Sequence, residues 1–384
     1  MRMKTFDYLI VGAGFFGSVL AERLANVLDK TVLVVERRPH IGGNCYSEKD
    51  RETGIEYHKY GTHIFHTDNQ EVWQYLTKFT NFNNYRHQVL TTYKDKVYQM
   101  PFNLETINSF YNLNLRPFEA REFIKKEVAK ELYPSPNNLE EKAISLIGRP
   151  LYEAFIKDYT TKQWGKSPTE LPAEIITRLP IRFNYQEDYF VNCKWQGIPE
   201  NGYTAIFERL LSSKNIQLEL NCDYLDNNRE AFSVREKVIF TGPIDQYFDY
   251  CFGRLEWRGL EFKKKYISVR DYQGTSVMNF AELSPPFTRV HEPSHLHPER
   301  QYKTDKTIIF EEYPNNGGLD QSYPINTARN KELLATYRKL ADRNREVIFG
   351  GRLGEYAYYD MDATILSALQ LFTQIAKKQS PTDL

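Results

Sequence analysis

Apolar and polar positions follow two rhythms along the 384 residues. The short apolar run FDYLIV at 6–11 opens into Gly12-Ala13-Gly14-Phe15-Phe16-Gly17. A helical pattern follows from Ser18 to about Leu28, then a second apolar run at 31–35 that ends in Glu36. Strand, glycine turn, helix, strand is the opening of a parallel βαβ unit. Residues 68–80 carry Val72, Trp73, Leu76 and Phe79 on one helical face, with Asp68 the expected N-cap. The segment 88–100, QVLTTYKDKVYQM, alternates as a hairpin turning near Lys94-Asp95. From Asn103 to about Leu179 the pattern is helical, broken at Pro117, Pro134, Pro136 and Pro168, which predicts a separate helical domain. Further helices are expected at 204–212, 330–343 and 360–377, and further strands at 216–220, 237–240 and 346–349. Between them lies a β-rich stretch with runs at 257–263, 266–270, 276–280, 287–290 and 307–313. The strands near 6, 31, 238 and 347 are expected to share one sheet, so the first domain is discontinuous.

The glycine turn carries the first chemistry. Gly12 permits a tight exit from the strand, Gly14 lets backbone approach a pyrophosphate, and Gly17 lets the helix pack closely on the sheet. The helix N-terminus presents unpaired N–H groups to phosphate, and Glu36 is placed to accept from an adenosine ribose. NAD and FAD both use such a clamp. Arg37 and Arg38 would suit the 2′-phosphate of NADP, but Glu36 would repel one. The diglycine Gly42-Gly43, in Ile41-Gly42-Gly43-Asn44, fits a second close approach to a longer cofactor, which favours FAD.

Composition narrows the class. Fifty basic residues balance fifty acidic ones, which argues against nonspecific nucleic-acid binding. The four cysteines, Cys45, Cys193, Cys222 and Cys251, show no metal-ligand spacing and fit free thiols in a reducing compartment. No stretch approaches the roughly 20 apolar residues of a membrane helix. The expectation is a cytoplasmic protein without membrane insertion. Tyrosine and phenylalanine are abundant, at 27 and 24 residues. No Ser-His-Asp or Cys-His arrangement is apparent, so aromatic faces and arginines are the chemistry on offer, and they suit a nucleotide diphosphate.

The strings GAGFFG, HIGGN, YGTHIFHT, YTTKQWG, ELPAEIITRLPIRFNY, FTGPIDQYFDY, PFTRV and GRLGEYAYYDMD occur in order. With them the chain resembles the bacterial UDP-galactopyranose mutases over nearly its whole length. The resemblance implies an α/β fold: a discontinuous Rossmann-like FAD domain, a helical bundle and a six-stranded antiparallel sheet. The expected division is 1–84 with 196–256 and 336–384 for FAD, 101–181 for uridine with a mobile lid at about 165–180, and 85–100 with 182–195 and 257–335 for the sheet. It also implies interconversion of UDP-galactopyranose and UDP-galactofuranose without net redox change. Reduced FAD acts there as a covalent nucleophile through N5, charged by NADH or NADPH, in a homodimer that serves surface glycans.

Site residues follow by resemblance. Arg178 and Arg289 would hold the diphosphate, with Arg178 on the lid. Phe155, Tyr159, Thr160 and Trp164 would form the uridine side, Phe155 stacking on uracil. Tyr189, Asn279, Tyr313 and Tyr358 would meet phosphate or sugar. On the cofactor side stand Gly12, Gly14, Phe15, Phe16, Gly17, Glu36, Arg37, Gly43, Asn44, Ile64 and Thr241. His63 would lie at the reactive edge of the flavin with His66 as support, and Arg352, Tyr359, Asp360 and Met361 would form a second flavin patch. Three positions depart from the family pattern: His87 stands where asparagine is common beside the sugar, Ile156 replaces an aromatic, and Asp158 replaces a glycine. They leave preference between galactose and an N-acetylated sugar open. A flavin oxidase of amine- or carotenoid-type substrates would share the glycine turn and Glu36, but would not need the paired arginines. Against a non-catalytic flavin or nucleotide-sugar binder stand Arg178, Arg289 and His63, all intact.

Overall fold

The computed structural model describes residues 5–176, 181–226, 229, 232–317 and 321–379. Five parallel strands form the first sheet, in the spatial order Val347–Phe349, Ser233–Phe240, Thr5–Val11, Val32–Glu36, Ile216–Leu220. The sheet therefore gathers strands from both ends of the chain. The expected four strands are joined by Ile216–Leu220 at the edge.

Alternation explains the two layers. Tyr8, Ile10, Val32 and Val34 face one core with the helices Phe15–Val27 and Met361–Gln379. Leu9, Leu33 and Val35 face the other, with Phe240 and Tyr247. A parallel sheet buried on both faces reads as a continuous apolar run, as 6–11 and 31–35 do. Each such side chain contributes roughly 1.5–3 kcal/mol on burial.

The second sheet has seven strands, not six. Its order is Gln321–Pro324, Trp257–Ile267, Thr307–Asn315, Arg289–His291, Val277–Phe280, Val89–Tyr93, Lys96–Met100. All neighbours are antiparallel except Val277–Phe280 against Val89–Tyr93, which run parallel. The expected break at 264–265 does not occur. The strand runs on through Lys263, Lys264 and Lys265 because each finds a partner: the Tyr313 ring, Asp50 and Glu311. The hairpin at 88–100 turns where expected, with Lys94 and Asp95 both at positive φ. That is the geometry whose twist matches paired strands.

Short helices between 104 and 164 form the third element. One π turn, Glu153–Lys157, interrupts them just before Asp158–Trp164. The helix expected at 68–80 is shorter, Gln70–Leu76, and its cap is Asn69 rather than Asp68. Asn69 Oδ1 accepts from the Val72 amide, because one residue later in the chain the side chain sits under N3. Among the described residues no helix is long and apolar enough to cross a membrane.

Candidate active site

A cavity of about 480 Å³ runs between the two sheets. Its floor is the glycine turn. Gly12 has φ +107°, and a Cβ there would lie 2.1 Å from Thr241 Oγ1. A Cβ on Gly17 would lie 2.1 Å from the Gly12 carbonyl oxygen. A Cβ on Gly43 would stand 3.2 Å from Gly14 Cα. The turn is thus shaped so that backbone, not side chain, borders the cavity. The helix Phe15–Val27 has no side-chain cap and no acid in its first turn, so its first N–H groups remain available to an anion.

Glu36, buried at the end of its strand, accepts from Ala13 N at 2.9 Å and Arg38 N at 2.9 Å. One carboxylate has about four lone-pair sites, so Glu36 braces the turn and still has acceptor capacity toward the cavity. Asn44 holds Arg38 through Oδ1 at 3.0 Å, and Arg38 stacks over Tyr60. Phe15, Phe16, Arg37, Ile64 and Thr241 also line this end. A glycine cradle, an uncapped helix start and a braced acid are what a dinucleotide needs, so the residues present fit a dinucleotide, FAD among them.

At the middle, His63 donates from Nδ1 to the Gly61 carbonyl at 2.7 Å. Burial chiefly, with the charges of Arg352 and His291, pushes its imidazole down to about 4. It is therefore neutral near pH 7, with Nε2 an acceptor. Arg352 is anchored on the Ser322 carbonyl, and Tyr358, Tyr359, Asp360 and Met361 line the same wall. His66 stacks on Phe190 at 3.7 Å.

The far end comes from the second sheet. Asn279, Arg289 and Glu312 are cross-strand partners on three adjacent strands. They point to one face, and all three line the cavity. Arg289 Nη1 lies 3.4 Å from Glu312 Oε1. Glu312 also accepts from Thr288 Oγ1 and His291 Nε2, each at 3.0 Å. Burial alone would raise its carboxyl, but Arg289 and these hydrogen bonds outweigh that and hold it at about 2. Asn279 Oδ1 is buried with no partner among the described residues, which suits a ligand donor. Tyr189 borders the same end.

Several expected substrate residues lie elsewhere. Phe155 is 3% exposed and enclosed by Tyr93, Tyr98, Phe102 and Phe110, with centroids 5.0–5.7 Å away. Its ring completes the helical core and presents no face to the cavity, which corrects the expected uracil stack. Thr160 is buried and Trp164 packs against that same core; neither lines the cavity. Tyr159 stands behind Arg289, its ring 5.9 Å from the guanidinium carbon and its hydroxyl buried without a partner among the described residues. Tyr313 is a second correction. Strand alternation turns it away from Glu312 to the opposite face, where it donates to Glu311 at 2.9 Å. Tyr323 lines the cavity in its place and stacks on Tyr358 at 5.9 Å. Arg178 lies outside the described residues.

Sequence reasoning also missed Glu312, His291 and Tyr323. One signal was available: two acids close the otherwise apolar run TIIF in TIIFEE, and a buried acid in a strand needs a partner.

The family model described as UDP-galactopyranose mutase matches residues 154–358, more than half of the chain. The chain belongs to the UDP-galactopyranose mutase family. As a member it is an isomerase. A second model, described as an NAD(P)-binding Rossmann-like domain, matches residues 10–79. A Klebsiella pneumoniae protein named "Probable UDP-galactopyranose mutase" is 41% identical, over 96% of this chain and 94% of its own. An Escherichia coli dTDP-fucopyranose mutase is 38% identical, over 94% and 96%. A crystal structure of reduced UDP-galactopyranose mutase superposes with a TM-score of 0.76 at 15% identity, covering 98% of this chain and 95% of that one.

Proposed function

We propose that the chain interconverts UDP-galactopyranose and UDP-galactofuranose, with reduced FAD held along the cavity. The observation that carries this reading is one continuous cavity with a dinucleotide cradle at one end and a buffered arginine, Arg289, at the other. Held there by the glycine turn, Glu36 and Arg352, reduced FAD would supply a nucleophilic nitrogen for the anomeric carbon of the sugar. The protein's own part is binding and charge. Arg289, held in place by Glu312, pairs with the diphosphate both before and after it leaves C1. Tyr189, Tyr323 and Tyr358 offer hydroxyls to phosphate or sugar oxygens. Neutral His63 offers an acceptor beside the cofactor without adding charge. The packed aromatic wall of Phe190, His66 and Tyr189 excludes water from the reacting carbon.

The same reading takes Arg178 as a lid residue on the diphosphate, NADH or NADPH as external reductant, a homodimer as the assembly, and galactofuranose for surface glycans as the purpose. Family membership supports these. All five strands of the parallel sheet fall within 1–84, 196–256 and 336–384, which supports that division as the FAD domain.

A second reading keeps the chemistry and changes the sugar. The 38% identical dTDP-fucopyranose mutase favours dTDP-fucose as a competitor substrate, and an N-acetylated galactose is a third. The test is anaerobic product analysis. Dithionite-reduced protein is incubated with UDP-galactofuranose, with oxidised protein as control. UDP-galactopyranose should appear only in the reduced sample. No conversion by FAD-loaded protein would sink the reading, and conversion of dTDP-fucofuranose alone would replace it with the second.

A further inference from the structure

His87 lines the cavity beside Tyr189, Asn279 and Arg289, and the site described so far gives it no role. Its ring is packed on two sides. Phe190 lies parallel to it at 5.8 Å and 25°, Tyr189 meets it edge-on at 5.6 Å, and its backbone N–H donates to Gln196 Oε1 at 3.2 Å.

A chain of buried groups sets its tautomer. Tyr85 OH lies 3.1 Å from His87 Nδ1 and is also hydrogen-bonded to Ser276 Oγ. Ser276 is 3% exposed, and Tyr85 is its hydroxyl's one hydrogen-bond partner among the described residues. If Tyr85 donated to Ser276, the serine hydrogen would be buried with nothing to accept it, at a cost of about 1–3 kcal/mol. The satisfied arrangement runs the other way: Ser276 donates to Tyr85, and Tyr85 donates to Nδ1. Nδ1 is then the acceptor and Nε2 carries the proton. No protein acceptor meets Nε2 among the described residues. Burial, and the charges of Arg289, His291 and His66, push the imidazole down to about 3, so it stays neutral in the working range.

We infer that His87 is a specificity-determining residue, presenting a fixed Nε2–H to a hydroxyl oxygen of the sugar on the nucleoside diphosphate. This rests on the nucleotide-sugar reading above. A site that spends a buried donor on one hydroxyl rejects a ligand lacking it far better than a methyl-lined pocket rejects an extra group. Galactose and fucose differ in this way, hydroxyl against hydrogen at C6. A donor on the C6 oxygen favours galactose and one on a hydroxyl common to both sugars favours neither, and the two titrations separate these cases.

The test is equilibrium titration of the FAD-loaded protein, with UDP against UDP-galactose and dTDP against dTDP-fucose. The quantity read is the gain in affinity from adding the sugar. His87→Phe keeps ring stacking and removes the donor. It should cut that gain by roughly tenfold, the worth of one hydrogen bond, with UDP affinity and bound FAD unchanged. His87→Asn, which restores an N–H, should recover most of the gain. Tyr85→Phe frees the tautomer and should also lower the gain, which covers the case of a poorly folded His87→Phe protein. A His87→Phe gain within twofold of wild type would overturn the inference. So would an equal loss of UDP affinity, or a wild type that gains nothing from either sugar. Product analysis is a separate readout, so turnover without a role for His87 defeats this inference alone.

Discussion

Glu312→Gln removes one charge and keeps the shape. In the native site the carboxylate is 1% exposed, receives hydrogen bonds from Thr288 and His291, and faces Arg289 at 3.4 Å. The amide can replace one acceptor oxygen, but its NH₂ then points at a donor. Arg289 also loses its counter-ion. Breaking a buried pair costs about 3–5 kcal/mol, and Arg289, whose side chain is 31% exposed, is partly solvated, which trims this to roughly 2–3 kcal/mol. The melting temperature should fall by about 4–12 °C at pH 7 by the scaling for larger domains. The pH dependence gives a sharper check. The folded carboxyl sits near 2 against an ordinary 4.5. Its contribution is complete above pH 4.5 and is lost as pH falls toward 2. At pH 3.5 the gap between wild type and variant should have shrunk by about 1.4 kcal/mol, one pKa unit's worth. Thermal melts at both pH values decide it. A gap that is constant with pH, or a melting point within 1 °C of wild type at pH 7, would refute the charge argument.

Gly17→Ala should yield protein that retains little FAD, read from flavin absorbance after purification, since the new methyl collides with the Gly12 carbonyl; full retention would mean the turn can open. Tyr323→Phe should slow turnover at least tenfold, while Tyr313→Phe, on the outer face, should change it less than twofold; the reverse order would restore the expectation from sequence. Phe155→Ala should destabilise the protein by about 3–5 kcal/mol and leave UDP affinity, measured at low temperature, nearly intact. An affinity loss matching the stability loss would return Phe155 to the uridine site. Glu36→Ala should weaken FAD retention and loosen the turn it braces; a fully flavinated variant would show the acid is dispensable.

The sequence alone determined what is local. Three glycines at a helix start, an acid after the next strand, and a two-residue turn at Lys94-Asp95 each act through backbone conformation within a few residues. Every residue named from these signals for the cofactor end does line the cavity. Only the tertiary structure decided the substrate end. Which side of a strand faces a cavity depends on register against strands distant in sequence, and one step of alternation exchanged Tyr313 for Glu312. The same holds for Phe155, whose fate depended on four rings that converge from the hairpin and the helices. His87 and Glu312 acquire their chemistry from partners more than a hundred residues away, or across a strand, and burial then fixes their charge. Local pattern fixes elements because their hydrogen bonds are short-range in sequence; a binding face is set by packing, which is not.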